Sequence, residues 1–263
     1  MSAPMLSIAA LSVRFGGLVA VDDVTFDVAA GSTHGLIGPN GAGKTTMFNL
    51  ISGLTPPTSG AIRLADREIN NLPSWKRAAL GLSRTFQNIR VFPEMTLAEN
   101  VATGLHPSLV QSFPAILTRL GGFAASERRA RDIAMEQLEF VGLAAKARQR
   151  AGDLPYGDQR RLEIARALAN QPRLLMLDEP AAGMNPSEKL ELLGLLERLK
   201  GRGLTMLVVE HDMKFVMRLC DRISVINFGR KIAEGAPAEV RANADVIEAY
   251  LGAKVARGLE KGA

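Results

Sequence analysis

The stretch Gly38-Pro39-Asn40-Gly41-Ala42-Gly43-Lys44-Thr45 decides how the rest of the chain is read. It fits G-x-x-x-x-G-K-[ST] without a mismatch. Glycines at this spacing let the backbone wrap with its N–H groups pointing inward, and the helix that follows aims its positive end at the same point. Such a nest holds a phosphate chain, with Lys44 placed to reach the β- and γ-phosphates and the Thr45 hydroxyl to ligate Mg²⁺. The context agrees. Thr33 to Ile37 is a short apolar run of the strand kind, and Thr45 to Ser52 reads as a helix stopped by Gly53 and Pro56-Pro57.

Upstream, Met5 to Arg14 and Asp23 to Val28 carry apolar runs broken at Gly16-Gly17 and at Ala30-Gly31, so the opening third reads as strands and turns. Downstream, a strand is expected near Ser83 to Phe86. From about Pro93 the pattern turns helical, over Thr96 to Thr103 and Ser126 to Val141. Ile133, Gln137, Phe140 and Val141 share one face of the second segment. No strand signal returns before Leu174, so residues 93–157 read as a helical lobe inserted into an α/β core. Asp158 to Asn170 is a helix with Leu162, Ala165, Leu168 and Ala169 in one stripe. Leu174 to Leu177, Met206 to Val209 and Ile223 to Ile226 are runs typical of strands buried on both faces. Asn185-Pro186-Ser187-Glu188 starts a helix that runs to Lys200 and stops at Gly201. Strands alternating with helices imply a mostly parallel sheet.

Leu174-Leu175-Met176-Leu177-Asp178-Glu179 supplies the second half of the phosphate site. A buried strand ending in an acid sets the Asp178 carboxylate beside the nest, where it can hold the Mg²⁺ shell. Glu179, one residue on, is placed to orient and deprotonate an attacking water.

Composition bounds the alternatives. The chain has 263 residues, 47% hydrophobic and 22% charged, which fits one large globular domain with an inserted lobe and excludes a disordered or fibrous chain. The best apolar stretch, Ser108 to Ala125, is interrupted by Gln111 and Arg119 and does not span a bilayer. The N-terminus shows no secretory signal, and the single cysteine, Cys220, has no internal disulfide partner; a cytosolic chain is expected. The net charge of +5 is spread, with clusters at Arg128–Arg131, Lys146–Arg150 and Arg160-Arg161 and only 5% aromatic residues. Those clusters read as a solvated basic face, and no nucleic-acid partner is expected. His34, His106 and Trp75 match no motif and read as packing or surface residues.

Four further segments, in order, make the chain resemble the ATP-binding-cassette (ABC) ATPases from about residue 5 to 250. They are Thr85-Phe86-Gln87-Asn88, with Gln87 at the Q-loop position, and Leu154-Pro155-Tyr156-Gly157-Asp158-Gln159 with the helix after it, which resembles the signature. Asp178-Glu179-Pro180-Ala181-Ala182-Gly183-Met184-Asn185 resembles the second acidic motif with its D-loop, and Val209-Glu210-His211-Asp212 resembles the switch. The form of the signature and D-loop, with Arg14-Phe15-Gly16-Gly17 and Ala249-Tyr250-Leu251-Gly252, is most similar to the ATPases of branched-chain amino acid importers. Importers of urea and short amides look similar. Other ABC transporters, soluble ABC ATPases and phosphate-loop kinases are the rivals. Soluble ABC ATPases resemble tandem cassettes or carry long coiled-coil inserts, neither visible here, and a kinase would not need the signature.

The resemblance implies a phosphate-loop NTPase core of mainly parallel sheet, an N-terminal antiparallel β subdomain and the helical subdomain at about 93–157. An ATP-binding domain would cover 5–240, with a C-terminal helix and basic tail over 241–263. It implies ATP and Mg²⁺ as cofactors, with Phe15 stacked on the adenine. Gly38, Pro39, Asn40, Gly41, Ala42, Gly43, Lys44, Thr45 and Thr46 would hold the phosphates, and Tyr156, Gly157, Asp158 and Gln159 would meet nucleotide across a dimer. Thr45, Gln87 and Asp178 would serve the metal, and Glu179 and His211 would be catalytic. The implied partners are a second ATPase subunit, either a paralogue or an identical chain, two membrane permease subunits and, through the complex, a solute-binding protein. The location would be peripheral, on the cytoplasmic face of the cell membrane. In the signature, Pro155 and Tyr156 replace the family's usual Ser and Gly.

Overall fold

A computed structural model describes residues 4–105 and 123–251. His106, most of the apolar stretch 108–125 and the basic tail beyond 251 lie outside the described residues. Two sheets organise the chain. The first is antiparallel, in the order β2-β1-β4-β5, from β1 (Pro4–Phe15), β2 (Leu18–Ala29), β4 (Ser59–Leu64) and β5 (Arg67–Glu68). Its first hairpin closes with Phe15 opposite Leu18, so β2 begins five residues before the expected Asp23. The second sheet has the order β10-β9-β3-β8-β7-β6. Its strands are β3 (Thr33–Ile37), β6 (Leu82–Arg84), β7 (Leu174–Asp178), β8 (Thr205–Val209), β9 (Arg222–Asn227) and β10 (Arg230–Gly235). All its pairings are parallel except the β9–β10 hairpin at one edge.

The apolar runs of β3, β7 and β8 are explained by what lies on each face. Leu36, Leu174, Met176, Leu207 and Val209 enter a core shared with the antiparallel sheet and α1 (Lys44–Ser52). Their neighbours Ile37, Leu175, Leu177, Met206 and Val208 enter a second core against the helices on the other side. A strand covered on both faces has no polar side to alternate with.

The other helices are α2 (Ser74–Ala79), α3 (Leu97–Thr103), α4 (Phe123–Phe140), α5 (Tyr156–Ala169), α6 (Pro186–Gly201), α7 (Met213–Leu219), α8 (Pro237–Ala242) and α9 (Ala244–Leu251). Thr96 with Glu99 and Asn185 with Glu188 form complete capping boxes at α3 and α6. Helix α6 continues through Gly201 rather than stopping before it, and α5 begins two residues earlier than expected, at Tyr156. Among the described side chains of α4 the fully buried positions are Ala134 and Leu138, followed by Val141, with Ile133, Gln137 and Phe140 only half-buried at the rim. Helices α3 and α4 pack on each other and on α5. Among the described residues, no helix is long and apolar enough to cross a membrane.

Candidate functional site

The loop between β3 and α1 is held by its glycines. A side chain at Gly38 would place a Cβ 2.0 Å from the Ile226 carbonyl, and one at Gly43, where φ is +104°, would meet the Ala20 carbonyl at 2.7 Å. Glycine is therefore required by the backbone packed around the loop as well as by any ligand. No side chain caps α1, so its first amides remain available. The Lys44 ammonium folds back and donates to the carbonyls of Gly38 (2.6 Å) and Pro39 (2.9 Å). Burial pulls its pKa below the usual lysine range, against the pull of Glu179 and Asp178.

A cleft of about 670 Å³ opens over this loop. It brings together Asn40 to Thr46 with Gln87, Glu179 and His211. At its far side two side chains converge on one carboxylate oxygen of a third. The Gln87 amide donates to Glu179 Oε2 at 3.0 Å, and His211 Nδ1 lies 3.7 Å from the same atom. Glu179 follows β7 directly, and its backbone sits in the left-handed region at φ +47°, a strained conformation for this residue that is concentrated at functional sites. Its amide donates to the Val209 carbonyl at 2.8 Å.

Other expected residues lie elsewhere. Phe15 is half exposed at the β1–β2 turn and is not a core residue, but the wall above the loop is made by Leu18, Val19, Ala20 and Phe228. Gly38, packed against the Ile226 carbonyl, does not line the cleft, and Pro39 faces a neighbouring cavity of about 600 Å³ that borders α9. Asp178 does not line the cleft. It is buried and takes a hydrogen bond from Arg84 at 2.8 Å. The first turn of α5 stands apart from the phosphate loop, with Gly157 and Asp158 against α6. Asp158 is buried and bonded to Lys146 (2.5 Å) and Arg161, while Gln159 donates to the Leu154 carbonyl. Of the four signature residues only Tyr156 is exposed. His34 and Cys220 are buried, and Trp75 is exposed.

Two supports of the site had no assigned role in the sequence. Arg84 ties Asp178 to α1 through Asn49 and Ser52 (2.8 and 2.9 Å), with its guanidinium over the rings of Phe48 and Phe86. Glu210, buried between β8 and His211, accepts from the amides of Ala181 (2.7 Å) and His211 (3.1 Å), and burial pushes its carboxyl upward. The only signal for either was a charge set against an apolar run.

The oxygen donors Thr45, Gln87 and Asp178 suit a hard cation. Among the described residues no group of three or more His, Cys, Asp or Glu side chains could hold a metal alone. That fits Mg²⁺, which is normally carried by one or two carboxylates together with substrate phosphates and water.

A parallel core with this loop, an acid-ended strand and a histidine after the next strand define a phosphate-loop ATPase. The ABC transporter family profile matches residues 21–182, and that of the branched-chain amino acid ATP-binding cassette transporters matches 230–256. The chain belongs to the ABC transporter family and is an ABC-type ATPase that binds ATP. It is 49% identical over 253 residues to the high-affinity branched-chain amino acid transport ATP-binding protein BraF of Pseudomonas aeruginosa, covering 96% of this chain and 99% of BraF. It is 47% identical, at the same coverage, to LivG of Escherichia coli, which carries the same description. The ADP conformation of MJ1267, an ATP-binding cassette of an ABC transporter, superposes with a TM-score of 0.84 at 30% identity, covering 95% of this chain and all of that one.

Proposed function

We propose that this chain is the ATPase subunit of a branched-chain amino acid importer and works at the cytoplasmic face of the cell membrane. The convergence of Gln87 and His211 on the Glu179 carboxylate, across the cleft from Lys44 and Thr45, carries the reading of mechanism. The near full-length likeness to BraF and LivG supports the solute.

In this mechanism Lys44 exchanges the Gly38 and Pro39 carbonyls for phosphate oxygens, and the loop amides hold the rest of the chain. Thr45, Gln87 and the Asp178 shell would hold Mg²⁺, which would supply charge neutralisation at the phosphates. Glu179 accepts the proton of the attacking water at its carboxylate, and His211 fixes that carboxylate and the γ-phosphate in register. Two ATPase subunits close head to tail, each offering the first turn of α5 to the other's nucleotide. A cavity of about 450 Å³ on the other side of the Phe86–Gln87 segment, lined by Leu54, Phe86, Phe92 and Arg166, is assigned to one of two permease subunits, because that segment also borders the ATP cleft. A solute-binding protein acts through the complex.

Pro155 favours a paralogue rather than an identical chain as the second ATPase. It caps α5 without a side-chain acceptor or donor and has no N–H to give a phosphate. The partner's nucleotide is then gripped by fewer donors than this chain's own. The test is ATP-driven uptake of leucine, isoleucine and valine by the complex in vesicles, with the catalytic Glu replaced by Gln in one ATPase subunit at a time. Unequal residual ATPase from the two single variants is expected. Equal residues, or a fully active homodimer, refute the asymmetry; uptake of a different solute class refutes the assignment of solute.

A further inference from the structure

Arg160 and Glu163 form an ion pair of 2.7 Å one turn into α5, and both side chains are buried, at 0% and 1% exposure. Arg160 of the Arg160-Arg161 cluster is therefore not part of a solvated face: it points inward. A buried pair is favourable only when its remaining donors and acceptors are also met. Here one segment meets most of them. Arg160 donates to the carbonyls of Phe86 (2.7 Å) and Gln87 (2.8 Å), while the amides of Phe86 (3.3 Å) and Arg90 (3.5 Å) donate to Glu163 Oε1. Arg160 also reaches Tyr156 Oη at 3.5 Å, and Arg166 approaches Glu163 at 4.0 Å.

Gln87 is thus bound at both ends. Its side chain donates to Glu179 in the ATP cleft, and its backbone carbonyl is held by α5. Residues 86–90 are gripped through carbonyls by one charge and through amides by the other, so the segment cannot slide past the helix without breaking bonds of both kinds. An apolar pair at these two positions would hold the helix in the core but would leave those four backbone groups unmatched.

We propose that Arg160 and Glu163 are positioning residues that clamp the 86–90 segment to α5, so that nucleotide engaged by Gln87 shifts the Tyr156–Gly157 turn that faces the second subunit. The proposal rests on the reading above that this turn serves the other subunit's nucleotide. Occupancy of one ATP site is thereby transmitted to the surface that completes the other.

The test is hydrogen exchange read by mass spectrometry on the full chain, with and without Mg²⁺ and a non-hydrolysable ATP analogue, at a concentration where the chain is monomeric. In the wild type the nucleotide should slow exchange at 38–46, 86–90 and 156–162. In Arg160→Gln with Glu163→Gln, the response at 38–46 and 86–90 should remain while that at 156–162 falls at least twofold. A merely structural role would raise exchange along α5 equally with and without nucleotide. Should the double variant not fold, Glu163→Gln alone should lower the response at 156–162 while leaving that at 38–46 intact. A wild-type response in the variants refutes the clamp, as does a wild type that responds at 38–46 but not at 156–162. No response at 38–46 in the wild type would refute the ATP site itself, and the clamp with it.

Discussion

His34 makes the stability of this protein depend on pH in a way that can be worked out in advance. It lies on β3, four residues before Gly38, with 1% of its surface exposed, its Nε2 2.9 Å from Ser224 Oγ and its ring stacked on Phe26. Burial pulls its pKa from 6.5 to about 4. The folded state therefore holds this proton less tightly than the unfolded chain does. The stability is fully present above about pH 6.5, is lost as pH falls from there, and stops falling below about pH 4. At 1.36 kcal/mol per pH unit the whole gap is worth about 3 kcal/mol, of which about 2 kcal/mol is gone by pH 5. The assay is urea unfolding of the wild type and of His34→Gln at pH 7, 6 and 5, taking the difference between the two proteins so that other groups cancel. The variant will be less stable at pH 7, and the wild type's lead will shrink by about 2 kcal/mol at pH 5. A lead that stays constant over this range would refute the reasoning, as would a histidine resonance for residue 34 that titrates near pH 6.5.

Lys44→Ala should weaken ATP binding by about 1.5–3 kcal/mol, roughly ten- to a hundredfold, since a charge-assisted phosphate contact is removed; unchanged affinity in an equilibrium titration would count against the loop. Glu179→Gln should keep that affinity while hydrolysis falls by about 10²–10⁴, the usual worth of a general base. Arg77 is buried and donates to the carbonyls of Leu50, Ile51, Asn70 and Leu72; Arg77→Ala should cost on the order of 3 kcal/mol of unfolding free energy, from several carbonyls left unmatched. Cys220 is buried and its thiol is pushed up to about 12, so iodoacetamide at pH 8 should label it only after denaturant is added.

What could be read from the sequence follows from what each element buries. Strands β3, β7, β8 and β9 announce themselves because both faces are covered, and α6 because its capping box is local, Asn185 to Glu188. Helix α2 carries no apolar stripe: its one buried side chain is Arg77, whose partners lie in α1 and in the loop before α2. Strand β10 is an edge strand, half-buried along most of its length, with charges at Arg230, Lys231 and Glu234. The residues of the cleft at the phosphate loop, with Gln87, Glu179 and His211, were legible because they stand in short motifs at strand ends, whereas the wall of Leu18, Val19, Ala20 and Phe228 carries no motif. Arg84 was not, since its partner Asp178 is 94 residues away and the pairing is made by the sheet, where β6 lies beside β7.

Helix α5 shows the same limit within a single element. Its apolar stripe of Leu162, Ala165, Leu168 and Ala169 is buried as the spacing requires. A second buried face carries Arg160 and Glu163 together with Ile164. Periodicity reads charged residues as solvent-facing, because a charge removed from water is costly unless something specific meets it. What meets these two is the backbone of residues 86–90, more than 70 positions upstream, and no side-chain pattern marks which carbonyls and amides will be left without a partner. The adjacent Arg161, one position round the helix, keeps the surface role assigned to both, at 28% exposure with Asp158 and Glu191 as its partners. Two neighbouring arginines of one helix thus have different fates, decided by a loop whose polar groups needed charge inside the fold.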